Sequence, residues 1–353
     1  MDTNDKFASG KKYLDFRDVL ILPKNSNLNS RSKVDLNRTL VFNNDINWTG
    51  IPIIASNMTT VGTLDVYKVL SKYKIITALH KFYKLEDLVK YNRENAKEPL
   101  SPDFFMISTG ISDSDYDNLV NILDNFQCKW ILIDIANGYI SKFKEFCKKV
   151  REKYKYKIIV AGTVCTKEGA LDLAECGVDI IKCGIGSGAA CTTRIQTGIG
   201  MPQLSCVLEC VEAVKEKNPN VYILSDGGIT CPGDMAKAYG AGADLIMVGG
   251  EFAGHDENPG ELIKENGKYY KFFYGMSSTY AMKNNYAANN NTYRSSEGRE
   301  IKIKYKGKLD NTVKNYLGGL RSTCTYTDSA TIEGLLHNCQ FILVNNQYNT
   351  NLL

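Results

Sequence analysis

Histidine is scarce in this sequence, and several familiar signals are missing altogether. The chain has 353 residues but just three histidines, His80, His255 and His337. Acid–base chemistry would therefore fall to Glu, Thr, Lys or Asp side chains. No apolar run approaches the length of a membrane span, and the N-terminal residues contain no hydrophobic signal region. We expect a soluble, cytosolic (cytoplasmic) protein.

The charge balance and the cysteine spacing exclude further classes of protein. The formal net charge is only +4, and the basic residues neither cluster nor alternate with aromatic ones, which argues against a nucleic-acid partner. The 11 cysteines show no CxxC pair and no zinc-like spacing, so we interpret them as reduced thiols in a reducing compartment. The GxxxxGK[ST] loop of nucleoside triphosphatases is also missing.

Eight apolar, β-branched runs are present, and helical patterns separate most of them. The runs cover residues 51–57, 74–80, 103–109, 129–137, 156–162, 178–184, 221–227 and 243–249. Continuous hydrophobic strands of this kind are typical of a parallel sheet that is buried on both faces. Eight β/α units predict an α/β fold, a (β/α)₈ TIM barrel, whose site lies at the C-terminal ends of its strands.

The helical patterns and the flanking segments complete this prediction. Apolar residues recur at helical spacing at Leu119, Ile122, Leu123 and Phe126 and at Leu204, Val207, Leu208 and Val211. A further helix is predicted from Pro232 to Gly240. We expect a single catalytic domain over 1–353, with an N-terminal extension, barrel strands over about 51–252 and a flap and C-terminal segment over about 253–353. The Asn-rich stretch in that last segment is either a loop over the barrel mouth or a disordered insert without a role.

Residues 181–203 carry the strongest catalytic signal. An apolar strand runs into Gly184, Gly186 and Gly188, which permit positive φ and close backbone approach. Cys191 follows beside Thr192, Thr193 and Arg194, whose hydroxyl and guanidinium groups could favour a thiolate. The pattern indicates an exposed nucleophile on a tight loop. The alternative is a buried, structural cysteine.

Glycine pairs predict a phosphate site at the same end of the barrel. Strand seven ends at Asp226-Gly227-Gly228 and strand eight at Gly249-Gly250, where barrels frequently bind phosphate through backbone N–H groups. Small residues at Gly275-Met276-Ser277 offer further donors. Together they favour a nucleoside monophosphate. Residues 184–189 match a GxGxxA dinucleotide pattern, but no helix is expected directly after them, so we reject a Rossmann interpretation.

The motifs taken together resemble the inosine monophosphate dehydrogenase/GMP reductase family. The resemblance covers nearly the whole chain, and it rests on LDFRDVLILPK, SNMTTVGT, TALHKFY, DIANGY, KCGIGSGAACTTR, TGIGMPQLS, SDGGITCPGD, VGGEFAGH, FYGMSS, YRSSEG and GGLRSTCTY. The CTTR sequence after the glycine loop is similar to the reductase branch. The lack of an inserted pair of nucleotide-sensing modules agrees with that branch.

This resemblance implies NADPH-dependent reductive deamination of GMP to IMP and ammonia. It assigns catalysis to Cys191 as the covalent nucleophile and to Thr193 and Glu297 as a proton relay, with Lys81 and Thr109 as further catalytic candidates. Substrate binding is implied for Asp226, Gly227, Gly228, Gly249, Gly250, Gly275, Met276, Ser277, Arg294, Ser295, Ser296 and Gly298.

Cofactor, metal and partner expectations follow from the same resemblance. NADPH contacts are implied for Lys81, Asp134, Ile135, Ala136, Asn137, Gly184 and Ile185, and from a neighbouring subunit for Ser30, Arg31, Ser322, Thr323, Cys324 and Thr325. A potassium ion would bind the backbone carbonyls of Gly186, Gly188, Cys191 and Arg194. The family implies a homotetramer.

Three departures from the family pattern keep two alternatives open. Family members usually carry Asp, His and Pro where this chain has Thr59, Phe82 and Ser187. A weak or inactive nucleotide sensor would explain such losses. A dehydrogenase without regulatory modules is the enzymatic alternative, but it needs a water-activating arginine–tyrosine pair, and here Tyr293 precedes Arg294. Reduction of GMP remains the leading hypothesis.

Overall fold

The computed structural model describes residues 11–43, 46–276, 278 and 296–345. Three short strands precede the barrel: β1 (Val19–Ile21), β2 (Arg38–Val41) and β3 (Asn47–Gly50). The barrel strands are β4 (Ile53–Ala55), β5 (Ile76–Leu79), β6 (Phe105–Thr109), β7 (Trp130–Asp134), β8 (Ile158–Val164), β9 (Ile180–Cys183), β10 (Tyr222–Asp226) and β11 (Leu245–Val248). Seven of them lie inside predicted runs, and β8 continues two residues beyond the predicted run 156–162.

The eight strands form a closed parallel barrel. Each strand pairs with the next in sequence, and β11 closes the ring by pairing with β4. Side chains alternate along the strands, as the two-residue period of a strand requires. Ile54 and Leu132 belong to the cluster inside the barrel, whereas Ile53 and Ile131 pack in the layer between sheet and helices. The predicted α/β (β/α)₈ TIM barrel is confirmed.

Helices alternate with the strands, as predicted. They are α1 (Leu64–Leu70), α2 (Leu85–Glu94), α3 (Asp113–Asn125), α4 (Ser141–Lys153), α5 (Lys167–Glu175), α6 (Thr193–Thr197), α7 (Gln203–Lys217) and α8 (Pro232–Gly240). Proline begins α8, where its missing N–H costs no hydrogen bond. The pattern predicted for α7 is wrong at one position: Leu208 is 42% exposed, and Cys206 and Cys210 occupy the buried face instead.

The N-terminal extension closes the end of the barrel opposite the strand C-termini. Trp48 on β3 packs edge-to-face against Trp130, the first residue of β7, with ring centroids 5.5 Å apart. Both indole N–H groups donate to the carbonyl oxygen of Asp103, at 2.9 and 3.2 Å. This contact seals one mouth of the barrel with apolar rings and leaves the other mouth for a site.

A small antiparallel sheet follows the barrel, in a region predicted as a flap. It comprises β12 (Ile263–Glu265), β13 (Lys268–Tyr274) and β14 (Glu300–Lys304). Asn266 and Gly267 join β12 to β13, with φ of +49° and +75°, as a two-residue hairpin turn requires. Helices α9 (Leu309–Tyr326) and α10 (Ile332–Asn338) and strand β15 (Phe341–Leu343), which pairs with β1, complete the described chain. None of the described helices has the length and apolar character needed to cross a membrane.

Candidate active site

A cleft of about 590 Å³ opens at the C-terminal ends of the barrel strands. Its lining includes most of the residues singled out from the sequence: Lys81, Asp134, Ile135, Ala136, Gly184, Ile185, Gly186, Gly188, Cys191, Thr193, Asp226, Gly227, Gly228, Gly249, Gly250, Gly275, Met276, Glu297 and Gly298. Residues distant in sequence therefore meet at one mouth because parallel strands place their ends together.

Cys191 lies on the loop that follows β9 and is partly exposed to the cleft. Gly184 and Gly186 adopt φ of +136° and +83° there, a region that glycine tolerates best. A Cβ atom on Gly184 would stand 2.2 Å from the carbonyl oxygen of Asp226. The loop then turns back on itself, with the N–H of Cys191 donating to the carbonyl of Gly188 at 3.0 Å. The glycines therefore allow the loop to present a thiol at the cleft.

A chain of hydrogen bonds leads from the thiol to a carboxylate. The Cys191 thiol donates to Thr193 Oγ1 at 3.3 Å, and the Thr193 hydroxyl donates to Glu297 Oε2 at 2.8 Å. The backbone fixes this geometry, because Thr192 N–H donates to the Glu297 carbonyl at 2.8 Å and Cys191 pairs with Gly298 as an antiparallel bridge. Such an arrangement can move a proton between the carboxylate and a group near the sulfur.

The Arg194 side chain points elsewhere than expected. Its guanidinium donates to Asp15 Oδ2 at 3.4 Å and to the carbonyl of Met201 at 2.5 Å. Within the described residues, Thr193 is the neighbour hydrogen-bonded to the Cys191 sulfur, so the expectation of a guanidinium beside it is wrong. The contact with Asp15 ties the loop that carries Cys191 to the segment before the barrel.

A buried lysine under the cleft escaped the sequence analysis. Lys182 of β9 is 4% exposed, and its ammonium contacts Asp134 at 3.0 Å, Asp226 at 2.5 Å and Thr163 Oγ1 at 2.7 Å. Burial lowers the pKa of Lys182, but the Asp134 and Asp226 carboxylates outweigh it and raise that pKa above its usual range. The sequence signal that could have identified Lys182 is a lysine inside an otherwise apolar strand. Asn57 completes the network by donating to Asp134 at 2.9 Å.

Lys81 and Thr109 lie at the ends of neighbouring strands, but they differ in access. Lys81 lines the cleft and pairs with Asp115 at 3.0 Å. Although burial raises the pKa of Asp115, hydrogen bonds from Ser112 and Lys81 outweigh this and lower it overall. Thr109 is buried, and its hydroxyl donates to the carbonyls of Gly110 and Asp115. Thr109 thus supports the segment that carries the partner of Lys81.

The glycine pairs leave space where side chains would intrude. Gly227 and Gly228 adopt φ of +91° and +79°. A Cβ atom would meet Ser56 Oγ at 3.2 Å from Gly249, and Ala189 Cβ at 3.3 Å from Gly250. The Gly228 N–H already donates to the Ser187 carbonyl at 2.9 Å. Both pairs therefore keep backbone groups close to the cleft surface, as phosphate binding requires.

Several predicted residues lie outside the cleft lining. Ser30 and Arg31 lie beside α9, which carries Ser322, Thr323, Cys324 and Thr325. The Cys324 side chain is fully buried, so a neighbouring molecule cannot contact it at the surface.

Two further predicted residues make local hydrogen bonds. Exposed Asn137 accepts the Tyr139 N–H at 3.1 Å, and Ser296 Oγ donates to the Gly298 carbonyl at 2.8 Å. Ser277, Arg294 and Ser295 fall outside the described residues, as does Tyr293.

The three residues that depart from the family pattern, Thr59, Phe82 and Ser187, each contact a nearby residue. The Ser187 hydroxyl donates to the Asp226 carbonyl at 3.0 Å. Thr59 Oγ1 donates to the Tyr274 hydroxyl at 3.3 Å. The Lys81 ammonium lies 5.7 Å from the ring centroid of Phe82. None of these side chains contacts Cys191, Thr193 or Glu297 by a hydrogen bond in the described structure.

Comparisons with known proteins agree with this geometry. A family model described as IMP dehydrogenase / GMP reductase domain matches residues 13–349. GMP reductase 2 of Homo sapiens is 48% identical over 338 residues, which cover 95% of each chain. GMP reductase of Caenorhabditis elegans is 47% identical over 341 residues, covering 95% of this chain and 93% of that protein. GMP reductase of Shigella boydii serotype 4 (strain Sb227) is 45% identical over 338 residues, which cover 95% of this chain and 96% of that protein. Matches of this extent show that the chain belongs to the IMP dehydrogenase/GMP reductase family.

Proposed function

We propose that this protein is an NADPH-dependent oxidoreductase that converts GMP to IMP and ammonia, and so interconverts purine nucleotides. The observation that carries the proposal is the hydrogen-bonded chain from Cys191 through Thr193 to Glu297 at the open mouth of the barrel. Relatives that share 45 to 48% of its residues over most of the chain are named GMP reductase. We also propose that the whole chain forms one catalytic domain.

The chain of contacts suits removal of an amino group. The Cys191 thiolate attacks C2 of the guanine ring, a C–S bond forms, and the C2–N bond breaks as the amine leaves. The Cys191 thiol proton would pass through the Thr193 hydroxyl to Glu297, and Glu297 would return it by the same route to the leaving amine. When bound, NADPH would supply the hydride that replaces sulfur at C2, and Cys191 would leave as the thiolate. No step needs a histidine, which agrees with the scarcity of histidine in this chain.

Substrate groups can be assigned by charge. The Asp226 carboxylate is held by Lys182, so it would accept hydrogen bonds from ribose hydroxyls and repel a phosphate. The phosphate would instead bind the backbone around Gly249 and Gly250, while Gly275, Met276 and the 296–298 segment cover the sugar and base. Lys182 contacts both Asp226 and Asp134, and it would therefore set the spacing between the substrate and cofactor subsites.

The cofactor would enter from the side of Lys81 and Asp134. The two carboxylates near this side, Asp115 and Asp134, are each paired with a lysine, so the negative charge that NADPH must approach is reduced. Ser30, Arg31 and the end of α9 form one surface away from the cleft. Their proposed role is to contact the cofactor of a neighbouring subunit in a homotetramer.

We propose that a potassium ion binds backbone carbonyl groups on the loop that carries Cys191. The Gly188 and Arg194 carbonyls accept the N–H groups of Cys191 and Gly198, at 3.0 and 3.1 Å. A carbonyl oxygen has two lone pairs, so each keeps one for a cation, alongside the carbonyls of Gly186 and Cys191. We propose that the ion would brace the loop.

Free thiols at all 11 cysteines support a cytosolic location.

Paired assays test the function. NADPH absorbance is followed with GMP, ammonia is measured in the same sample, and NAD⁺ reduction is followed with IMP. We expect NADPH oxidation that depends on GMP and matches ammonia release mole for mole. NADH formation from IMP without NADPH oxidation would assign the protein to dehydrogenation. GMP binding without either reaction would leave a nucleotide sensor.

A further inference from the structure

Three buried cysteines meet beneath the loop that carries Cys191, and they take no part in the proposed reaction. Cys183 is the last residue of β9, and Cys206 and Cys210 lie on α7. Their Sγ atoms all lie within 4.8 Å of one another, and all three residues are 0% exposed. We call Cys183, Cys206 and Cys210 the thiol cluster.

The fold explains why these sulfurs converge. Cys206 and Cys210 are four residues apart, so they project from the same face of α7. That face packs against the barrel at β9 and β10, where Cys183 meets it. The neighbouring Cys165 lies outside the 4.8 Å spacing, and its sulfur accepts a hydrogen bond from the Tyr139 hydroxyl at 3.7 Å. Among the described residues, no carboxylate or imidazole completes the group.

We propose that the thiol cluster is a binding site for a trivalent thiophilic metalloid, of which arsenic(III) is the simplest. Thiolates select soft ions. A structural zinc ion would require a fourth ligand. Within the described part of the chain, neither a fourth side chain at this spacing nor solvent exposure of the cluster provides one. An arsenic(III) centre is complete with three sulfurs.

The charge balance also favours a trivalent ion. Three thiolates around zinc or copper(I) would leave net negative charge in a dry interior, which is costly. Arsenous acid and three thiols instead give a neutral As(SR)₃ group and three water molecules. Three As–O and three S–H bonds break, three As–S and three O–H bonds form, and arsenic stays trivalent throughout.

The geometry requires only a small movement. Arsenic(III) with three sulfur ligands is pyramidal because of its lone pair, so bonds of about 2.3 Å place the three sulfurs roughly 3.3 Å apart. The sulfurs already lie within 4.8 Å, so shifts of about 1 Å suffice on this bond-length basis.

Arsenite titration of the reduced protein tests the site. Native mass spectrometry counts bound arsenic, and X-ray absorption at the arsenic edge counts As–S and As–O bonds. We expect one arsenic per chain, bound by three sulfurs and no oxygen. Because the cluster is buried, binding needs local opening, so samples are followed to a constant mass.

Matched variants locate the arsenic. Cys191→Ala and Cys147→Ser should keep the bound arsenic, since Cys147 is a fully buried helical cysteine outside the cluster. Cys206→Ala and Cys210→Ala should lose the three-sulfur signal, with circular dichroism confirming that each is folded. The proposal is overturned if wild-type protein binds no arsenic, if oxygen ligands remain, or if Cys191→Ala removes the signal. The wild-type and Cys191→Ala measurements decide the matter even if a cluster variant fails to fold.

Discussion

Replacement of Thr193 by valine isolates the proton relay from the nucleophile. Valine keeps the shape of threonine but removes the hydroxyl that lies 3.3 Å from the Cys191 sulfur and 2.8 Å from Glu297. Loss of a positioned proton donor lowers a rate by about 10²- to 10⁴-fold, which raises the barrier by roughly 3 to 5 kcal/mol. Since Thr193 is assigned no contact with ribose or phosphate, the KM for GMP should change little.

The assay is steady-state NADPH oxidation with GMP, with kcat and KM measured separately. Thr193→Ser retains a hydroxyl and is the matched control, so it should keep most of the activity. Thermal unfolding of both variants should resemble that of the wild type, because the side chain is partly exposed. A Thr193→Val kcat within threefold of wild type would refute the relay.

Three further predictions concern stability and the loop. Lys182→Met leaves two carboxylates without their cation and should lower the free energy of unfolding by about 3 to 5 kcal/mol, part of which Asp226→Asn should restore. Gly184→Ala forces a Cβ to within 2.2 Å of a backbone oxygen at φ +136° and should cost about 2 to 5 kcal/mol, whereas Gly188→Ala should be tolerated. Burial lowers the pKa of His255 to about 4, so stability should fall as pH drops from about 6.5 to 4, by up to about 1.4 kcal/mol per pH unit.

Urea unfolding, which measures the free energy of unfolding, tests all three predictions. Below pH 6.5 the unfolded chain binds a proton that folded His255 does not, so His255→Gln should reduce the pH dependence, while exposed His337→Gln should not. Burial also lowers the pKa of His80 to about 4, so His80 should keep its own share of the pH dependence in the His255 variant. Lys182→Met at wild-type stability would contradict the account of buried Lys182 and its two carboxylate partners. Equal effects at Gly184 and Gly188 would contradict the account of the loop, because the nearest contact of a Cβ on Gly188 is an ordinary 3.6 Å.

The sequence was sufficient for the barrel and for most of the cleft. Each barrel strand is a short apolar run, and the topology then determines where polar strand ends meet. Cys191, Thr193 and Glu297 could be linked only through the family resemblance, since 104 residues separate the last two. Their hydrogen bonds depend on the backbone bridge between Cys191 and Gly298, which no local pattern encodes.

Other features were missed for physical reasons. Lys182 lies in an apolar run, and the acids that stabilise its charge come from strands distant in sequence. The Asn266-Gly267 turn was a readable hairpin signal in a region interpreted as a flap. Helix α9 shows apolar spacing at Leu309, Val313 and Leu317, all of which are buried, but Gly318 and Gly319 interrupt the pattern. The thiol cluster could not be predicted from the sequence, because Cys183 lies on β9 and its two partners lie on α7.

The central claim is that Cys191 performs covalent catalysis on GMP, and one comparison tests it most directly. NADPH oxidation and ammonia release are measured with GMP for wild type, Cys191→Ala and Cys147→Ser. The account predicts that both signals disappear in Cys191→Ala and persist in Cys147→Ser, while GMP still binds to the alanine variant. Turnover of GMP by Cys191→Ala at a rate comparable to wild type would contradict it.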